Sequence, residues 1–447
     1  MENSPKPSNP PRPLDGIRVL DFSWVRAGPW ATRWLGALGA EVIKIEWPDN
    51  ERGRRTPGST PHGLTPNLNN SGNFSDTNAN KLSVTLNVRT QEGLDIARRL
   101  VAKSDVVIEN FSSRVLTNWG LGYEALCRIK PDIVYVSMSG YGHTGRHHTY
   151  KTFGPVAQAA SGLTFMSGLP DSPPAGWGWS YLDDTGGLYG AMCVLTGLYR
   201  RNMTGEGQHI DQSQMITGIT LTGPALLDRT VNGRASRRDG YPTGNRSQWP
   251  GLAPQSYRGP LAAPHNAYPT APGGYNDWCA ITCTSDDEWL ALRKAMGDPE
   301  WAGDGQYATL EGRLQAQAAL DEQIGAWSRT MDKYTLTERC QAAGVPALPV
   351  QGAEDRVDND PQLAARGMYQ PIDHAEMGRF ALQNAPFRFA KAEVNNVSAG
   401  PRIGEHNREV LQGLLGLDDA ALAEGYADGT FWPEGQPLLA YHEEMLT

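Results

Sequence analysis

No stretch of this 447-residue chain is apolar for long enough to cross a bilayer, so no membrane partner is expected. Cysteine is scarce and scattered: Cys127, Cys193, Cys279, Cys283 and Cys340 make an odd set of five with no pairing pattern. That excludes a disulfide-built scaffold. Cys279 and Cys283 stand close together, yet no second His or Cys pair completes a zinc set, so no metal site is expected. A basic excess is also missing. Lys and Arg number 40 against 49 Asp and Glu, and no basic stripe carries interleaved aromatics. Nucleic acid is therefore not an expected partner. Residues 1–12, within "MENSPKPSNPPRP", read as a disordered tail without the basic-then-apolar order of a secretory signal, and a cytoplasmic location is expected. There is no internal repeat. There is no GxGxxG fingerprint either, which removes the main reason to expect a nicotinamide cofactor.

What is present is a globular composition, 39% hydrophobic and 20% charged, long enough for more than one domain. "GIRVLDFS" (16–23) reads as a buried strand, "WATRWLGALGA" as a helix and "EVIKIE" as a second strand. After a polar loop from Arg52 to Asn80 the alternation resumes. "KLSVTLNV", "DVVIENF" and "DIVYVSMSGYG" are strands, with "QEGLDIARRLVAKS" and "YEALCRI" as helices between them. Repeated β-α-β units predict a doubly wound parallel sheet, an α/β fold with a large Rossmann-like domain over 13–225. A Gly/Pro/Arg/Ser-rich linker follows over 226–274, then a smaller α+β domain over 275–345. There "DWCAITCT" is a strand and "SDDEWLALRKAMGD" a helix capped by Ser285, with Glu288 at the capping-box position.

The chemistry-bearing stretch is "WGWSYLDDTGGLYGAMCVLTGLYRR" (177–201). Asp183 and Asp184 precede a Gly pair, then Leu188, Met192, Leu195 and Leu198/Tyr199 recur at helical intervals. One reading is a helix cap, since an Asp there accepts backbone N–H bonds. The other is a carboxylate nucleophile, with Gly186 and Gly187 clearing the approach. The residues alone do not choose between the two acids. "GYGHTGRHHT", after a strand end, carries His143, His147 and His148 and reads as an exposed Gly-rich loop rather than a metal cluster. Arg52, Arg54 and Arg55 form either a phosphate clamp or a solvated loop. Trp47 either stacks on a base or fills the core, and "GGYND" at Gly273–Gly274 reads as a turn.

"PLDGIRVLDFSWVRAGPWATRWLGALGAEVIKIEWP", "NANKLSVTLNVRTQEG", "SDVVIENF", "GLGYEAL", "VYVSMSGYGHTG", "RRNMTGEGQHIDQSQM" and "GPRIGEHNREVLQGLLGL" together resemble the family III CoA-transferases, relatives of α-methylacyl-CoA racemase. The resemblance implies a C-terminal return to the large domain over 346–447, an interlocked homodimer, and an acyl-CoA and a carboxylic acid as substrates. Coenzyme A thioester then serves as substrate, and no permanently bound cofactor is expected. It implies Asp183 as nucleophile, through an aspartyl anhydride and an aspartyl-CoA thioester. It implies a CoA site of Val25, Arg26, Lys81, Asn110, Phe111 and Arg114. The sequence departs from the family where Arg26 replaces a common Gln, Trp47 a common Arg, and "SSR" the usual "RPG" after "ENF". A racemase is one rival, but Phe153 stands where its proton-carrying His would fall. One subunit of a hetero-oligomeric transferase is the other. Trp177 and Trp179, just before the nucleophile, point to an acceptor acid with an apolar or aromatic body, with succinyl-CoA as donor.

Overall fold

The computed structural model describes residues 12–47, 55, 59–167, 173–178, 180–233 and 262–433. Six strands build the main sheet: β1 Arg18–Asp21, β2 Glu41–Glu46, β3 Lys81–Thr85, β4 Val106–Glu109, β5 Val134–Ser139 and β6 Gln208–Ser213. All pair in parallel, in the order β3-β2-β1-β4-β5-β6. That is the doubly wound order predicted from the alternating pattern, and it reverses direction between β1 and β4. The strands read as continuous apolar runs because both faces are covered. Along β1, Leu20 enters the core on one face with Ile43, Val107 and Tyr135. Val19 enters the other with Val42, Val106 and Val134.

The helices of this unit include α1 Ala27–Ala37, α2 Gly72–Asn78, α3 Gln91–Ala102, α4 Tyr123–Ile129, α5 Gly154–Ala160, α6 Tyr181–Thr204 and α7 Gln214–Thr220. Helix α6 corrects two expectations. It begins at Tyr181, so Asp183 and Asp184 lie inside its first turn rather than before it, and Gly186 and Gly187 are helical and buried. Those glycines serve close packing. A Cβ on Gly187 would stand 2.7 Å from the Ala27 carbonyl of α1, and one on Gly190 would stand 2.5 Å from Met138 Sδ of β5. The first contact, with backbone, is not tolerable, and the second requires the Met138 side chain to move. The second correction concerns the apolar stripe. Leu188, Met192, Leu195, Tyr199 and Met203 face outward, 39–70% exposed, while the buried face is built from Gly190, Ala191, Val194, Gly197 and Leu198. The helix is apolar all round, so periodicity alone did not tell its inner face from its outer one.

The chain divides into two compact units, the first holding the described residues up to Leu163, those of Gly176–Leu221 and those from Ala365 onward. Its C-terminal segment covers the open edge of β3. The Ser83 and Thr85 N–H groups donate to His406 Nδ1 (3.1 Å) and Asn407 Oδ1 (2.8 Å), and His406 N–H donates to Ser83 O (3.0 Å). An unpaired strand edge is thereby closed.

The second unit takes the described residues of 164–175 and 222–364. Its antiparallel sheet joins β7 His265–Pro269, β8 Trp278–Thr282 and β9 Ala347–Pro349. Helices α8 Asp286–Met296, α9 Gln317–Ser328 and α10 Lys333–Ala342 accompany it. The unit is larger than the expected 275–345. It includes β7, which the reading of 226–274 as linker passed over because "HNAYP" is short, polar and ends in Pro. Ser285 caps α8 as expected: its Oγ accepts from Glu288 N–H at 3.2 Å, while Glu288 reaches back to Thr284 N–H at 2.5 Å. Cys279, Cys283 and Cys340 are fully buried among Ile281, Trp289 and Leu336 and act as small hydrophobes. Burial pushes the Cys283 and Cys340 thiols up to about 12.

Candidate active site

The loops after β1 and β4 flank the switch point of the sheet, where open α/β sheets hold ligands. Four of the residues that the family resemblance singles out meet here. Val25, 40% exposed, has φ +60°. A β-branched residue in that region is strained, and such strain persists only where the surroundings enforce it. Asn110 enforces it. Its Oδ1 accepts from Trp24 N–H (2.8 Å) and its Nδ2 donates to Trp24 O (2.9 Å), bracing the turn from both sides. Gly28 admits the tight turn, since a Cβ there would stand 2.2 Å from Ser23 Cβ. Phe111 is buried between the rings of Trp24 (5.6 Å) and Trp119 (5.4 Å). Its N–H donates to Glu109 Oε2 at 2.8 Å. Arg114 is exposed, also at positive φ, +74°.

The two acids on α6 differ in partner and burial. Asp184 is held by Arg26 through two bonds, Nε to Oδ1 at 2.6 Å and Nη2 to Oδ2 at 3.1 Å. The Arg26 guanidinium also lies over the Trp30 ring, 5.2 Å from its centroid. Among the described residues Asp183 has no cation in contact. Its Oδ1 accepts from Gln214 Nε2 at 2.7 Å, at the start of α7. Its other oxygen lies against Gly154, the first residue of α5, where a Cβ would approach within 2.2 Å. Burial raises the Asp183 carboxyl above its ordinary range, against the hydrogen bonds from Gln214 and Ser180. Gln214 and Gly154 were not singled out from the sequence. Gln214 sits in the quoted "RRNMTGEGQHIDQSQM" and Gly154 directly follows Phe153, but no local signal marks them as neighbours of Asp183.

The remaining expectations divide. Lys81 is fully buried, its Nζ donating to Asp21 (3.1 Å), Asn78 (2.9 Å) and Pro29 O (3.1 Å). Burial pushes it down to about 7 against the pull of Asp21. The described contacts commit it to the interior. Arg55 is not a clamp open to phosphate. It is sealed against Glu46, Nη2 to Oε2 at 2.6 Å, and lies over Phe74. Arg52 and Arg54 lie outside the described residues, as does Trp179.

Of the His group, His143 is half-buried and has carboxylates beside it, contrary to the exposed-loop reading. Its Nε2 is 3.4 Å from Glu109 Oε1 and its N–H donates to Asp211 (2.8 Å). His148 meets Ser113 Oγ at 2.7 Å, and His147 is exposed. Among the described residues no three His, Cys, Asp or Glu side chains gather as metal ligands. Trp47 is half-buried, edge-on to Trp432. Trp177 is 43% exposed and packs on Tyr181 at 5.0 Å, so it does not fill the core. Phe153 is 72% exposed. "GGYND" forms a turn, with Asp277 N–H donating to Gly274 O at 3.2 Å.

Comparison with known proteins places this geometry in context. The model described as CoA-transferase family III matches residues 14–407. The chain is 33% identical over 418 residues, 93% of its length and 97% of the relative's, to succinyl-CoA–D-citramalate CoA-transferase of Chloroflexus aurantiacus. It is 32% identical, over 91% of its length and 95% of the relative's, to the beta subunit of succinyl-CoA–L-malate CoA-transferase from the same organism. Among solved structures it is similar to a CAIB/BAIF family protein from Brucella suis, with a TM-score of 0.77, 31% identity, and coverage of 90% of this chain and 99% of that one.

Proposed function

The chain belongs to CoA-transferase family III, and from that premise we propose that Asp183 is the covalent nucleophile of a ping-pong transfer between a donor acyl-CoA and an acceptor acid. The observation that carries this is the asymmetry of the acid pair. Asp184 is neutralised by Arg26. Asp183 is left with neutral donors, Gln214 and Ser180, and a side-chain-free neighbour, Gly154. A partly desolvated carboxylate without a cation keeps its nucleophilicity.

The steps balance without a further reactant. The Asp183 carboxylate attacks the thioester carbonyl, forming a mixed anhydride and expelling CoA thiolate. The thiolate attacks the aspartyl carbonyl, releasing the donor acid and leaving aspartyl-CoA thioester. The acceptor carboxylate attacks that carbonyl and expels the thiolate again. The thiolate then attacks the acceptor's acyl carbon, giving product and restoring Asp183.

Coenzyme A is assigned to the switch point, against Val25, Asn110, Phe111 and Arg114, with Asn110 and Phe111 holding the turn and Val25 and Arg114 presented outward. Succinyl-CoA is the proposed donor, in keeping with both relatives' names. For the acceptor, the exposed Trp177–Tyr181 pair, at the start of the helix that carries Asp183, supports an apolar or aromatic body. The outward stripe of α6 supports a dimer, either of two copies or with a paralogue, as the subunit name of one relative illustrates. The racemase reading finds no support in Phe153, which carries no proton.

The test is transfer from succinyl-CoA to a panel of benzoate, phenylacetate, L-malate, D-citramalate and oxalate. An aromatic acid is expected to lead. A lead by oxalate ends the acceptor assignment, and α-deuterium wash-in with no transfer to any acid ends the transferase mechanism.

A further inference from the structure

The proposed chemistry creates an electrostatic problem at its own centre. Two carboxylates, Asp183 and Asp184, already stand on one helical turn. A third must leave as the donor acid and a fourth must arrive as the acceptor. Like charges brought together in a half-buried site repel strongly, so a cation has to meet the visiting acid.

Arg26 is in contact with Asp184, and its charge also reaches Asp183. Its side chain is 14% exposed and stacked on Trp30, so the guanidinium plane is fixed. Two of its three nitrogens hold Asp184; Nη1 makes no hydrogen bond among the described residues. Asp184 is 34% exposed and can turn toward solvent when its place is taken. A planar guanidinium fork suits one carboxylate as well as another.

Resting on the function proposed above, we infer that Arg26 receives the carboxylate of the acid that enters or leaves, and that Asp184 is the internal counter-ion it exchanges for that carboxylate. Arg26 thus stays paired at every stage, and its burial never leaves a bare charge. Asp184 is a positioning residue that competes with the substrate. This assigns Arg26 to the acid rather than to CoA and gives the second acid of the motif a role distinct from the first.

The experiment uses the purified full chain, succinyl-CoA and labelled succinate, so that one acid serves both half-reactions. Exchange of label into succinyl-CoA is followed while each reactant is varied. Arg26→Gln is expected to raise the KM for succinate about ten-fold, against less than about three-fold for succinyl-CoA, with partial recovery in Arg26→Lys. Asp184→Asn, which keeps the size of the side chain, is expected to lower the KM for succinate about three-fold by removing the competitor. An equal or larger rise in the KM for succinyl-CoA in Arg26→Gln makes Arg26 a CoA contact and overturns the inference. So does a raised succinate KM in Asp184→Asn. Failure of the underlying function looks different: the wild type then gives neither label exchange nor a hydroxylamine-trapped adduct at Asp183, and both readings fall together.

Discussion

Two sets of ionic side chains in the first unit have opposite designs. Around β1, β2 and β3, Asp21 with Lys81 and Glu46 with Arg55 are fully buried, and each carboxylate is hydrogen-bonded by several donors. Burial alone would raise the Asp21 and Glu46 carboxyls. Lys81 and Lys44 outweigh it at Asp21, Arg55 outweighs it at Glu46, and both are held below the ordinary range. Around α6, Asp184 with Arg26 is partly open, and Asp183 is raised rather than lowered. The first set is closed on itself and fastens the strands and the α1 helix. The second is incomplete, with one acid lacking a cation, and incompleteness beside a switch point is what a reaction site requires.

That contrast can be broken most severely at Asp183. Asp183→Asn is expected to reduce transfer by about a thousand-fold or more, measured as thioester exchange, because a covalent route has no substitute nucleophile. The same variant is expected to melt no lower than the wild type near neutral pH. A carboxyl raised in the folded state disfavours folding once it ionises, so above its folded pKa the wild type bears a cost that Asn lacks. The difference should shrink as pH falls through the raised value toward the unfolded one. By the same sign, trapping of the enzyme by acyl-CoA should fall with acid at a pH above that of an ordinary carboxylate.

The closed set predicts the reverse pairing of effects. Arg55→Met leaves Glu46 buried without its cation and is expected to cost about 3–5 kcal/mol in urea unfolding. Unchanged stability with a raised KM for acyl-CoA would restore Arg55 as a phosphate clamp. Gly187→Ala, which forces a methyl against the Ala27 carbonyl, is expected to cost about 1–3 kcal/mol by the same measurement. Smallest of all, Ser285→Ala in the second unit removes one helix cap and is expected to cost about 1 kcal/mol while leaving transfer untouched.

Much of the fold is legible in the sequence because parallel strands declare themselves. "RVLD", "EVIKIE" and "VVIE" are too apolar and too short for helices, and their regular alternation with helices fixes the doubly wound class. The extent of the second unit is not legible, because β7 begins at a His-Asn pair and ends at Pro269. The apolar stripe of α6 misleads in a physically specific way. Its inner face mixes Val194 and Leu198 with Gly190, Ala191 and Gly197, which carry little hydropathy, while its outer face is Leu, Met and Tyr. Of the site, the position of the acid pair is visible but its division of labour is not. Arg26 lies 158 residues from Asp184, and Gln214 lies 31 from Asp183. Lys81 and Arg55 carry the residue types of anion-binding sites, yet buried strand carboxylates claim them, Asp21 60 residues from Lys81 and Glu46 nine residues from Arg55.

The central claim is that an oxygen of Asp183 becomes acylated during turnover. It is tested most directly by incubating the protein with succinyl-CoA, quenching with hydroxylamine and mapping the modified peptide by mass spectrometry. A hydroxamate on Asp183, absent from Asp184, is the predicted result. An unmodified Asp183 in a preparation that still exchanges acids contradicts it.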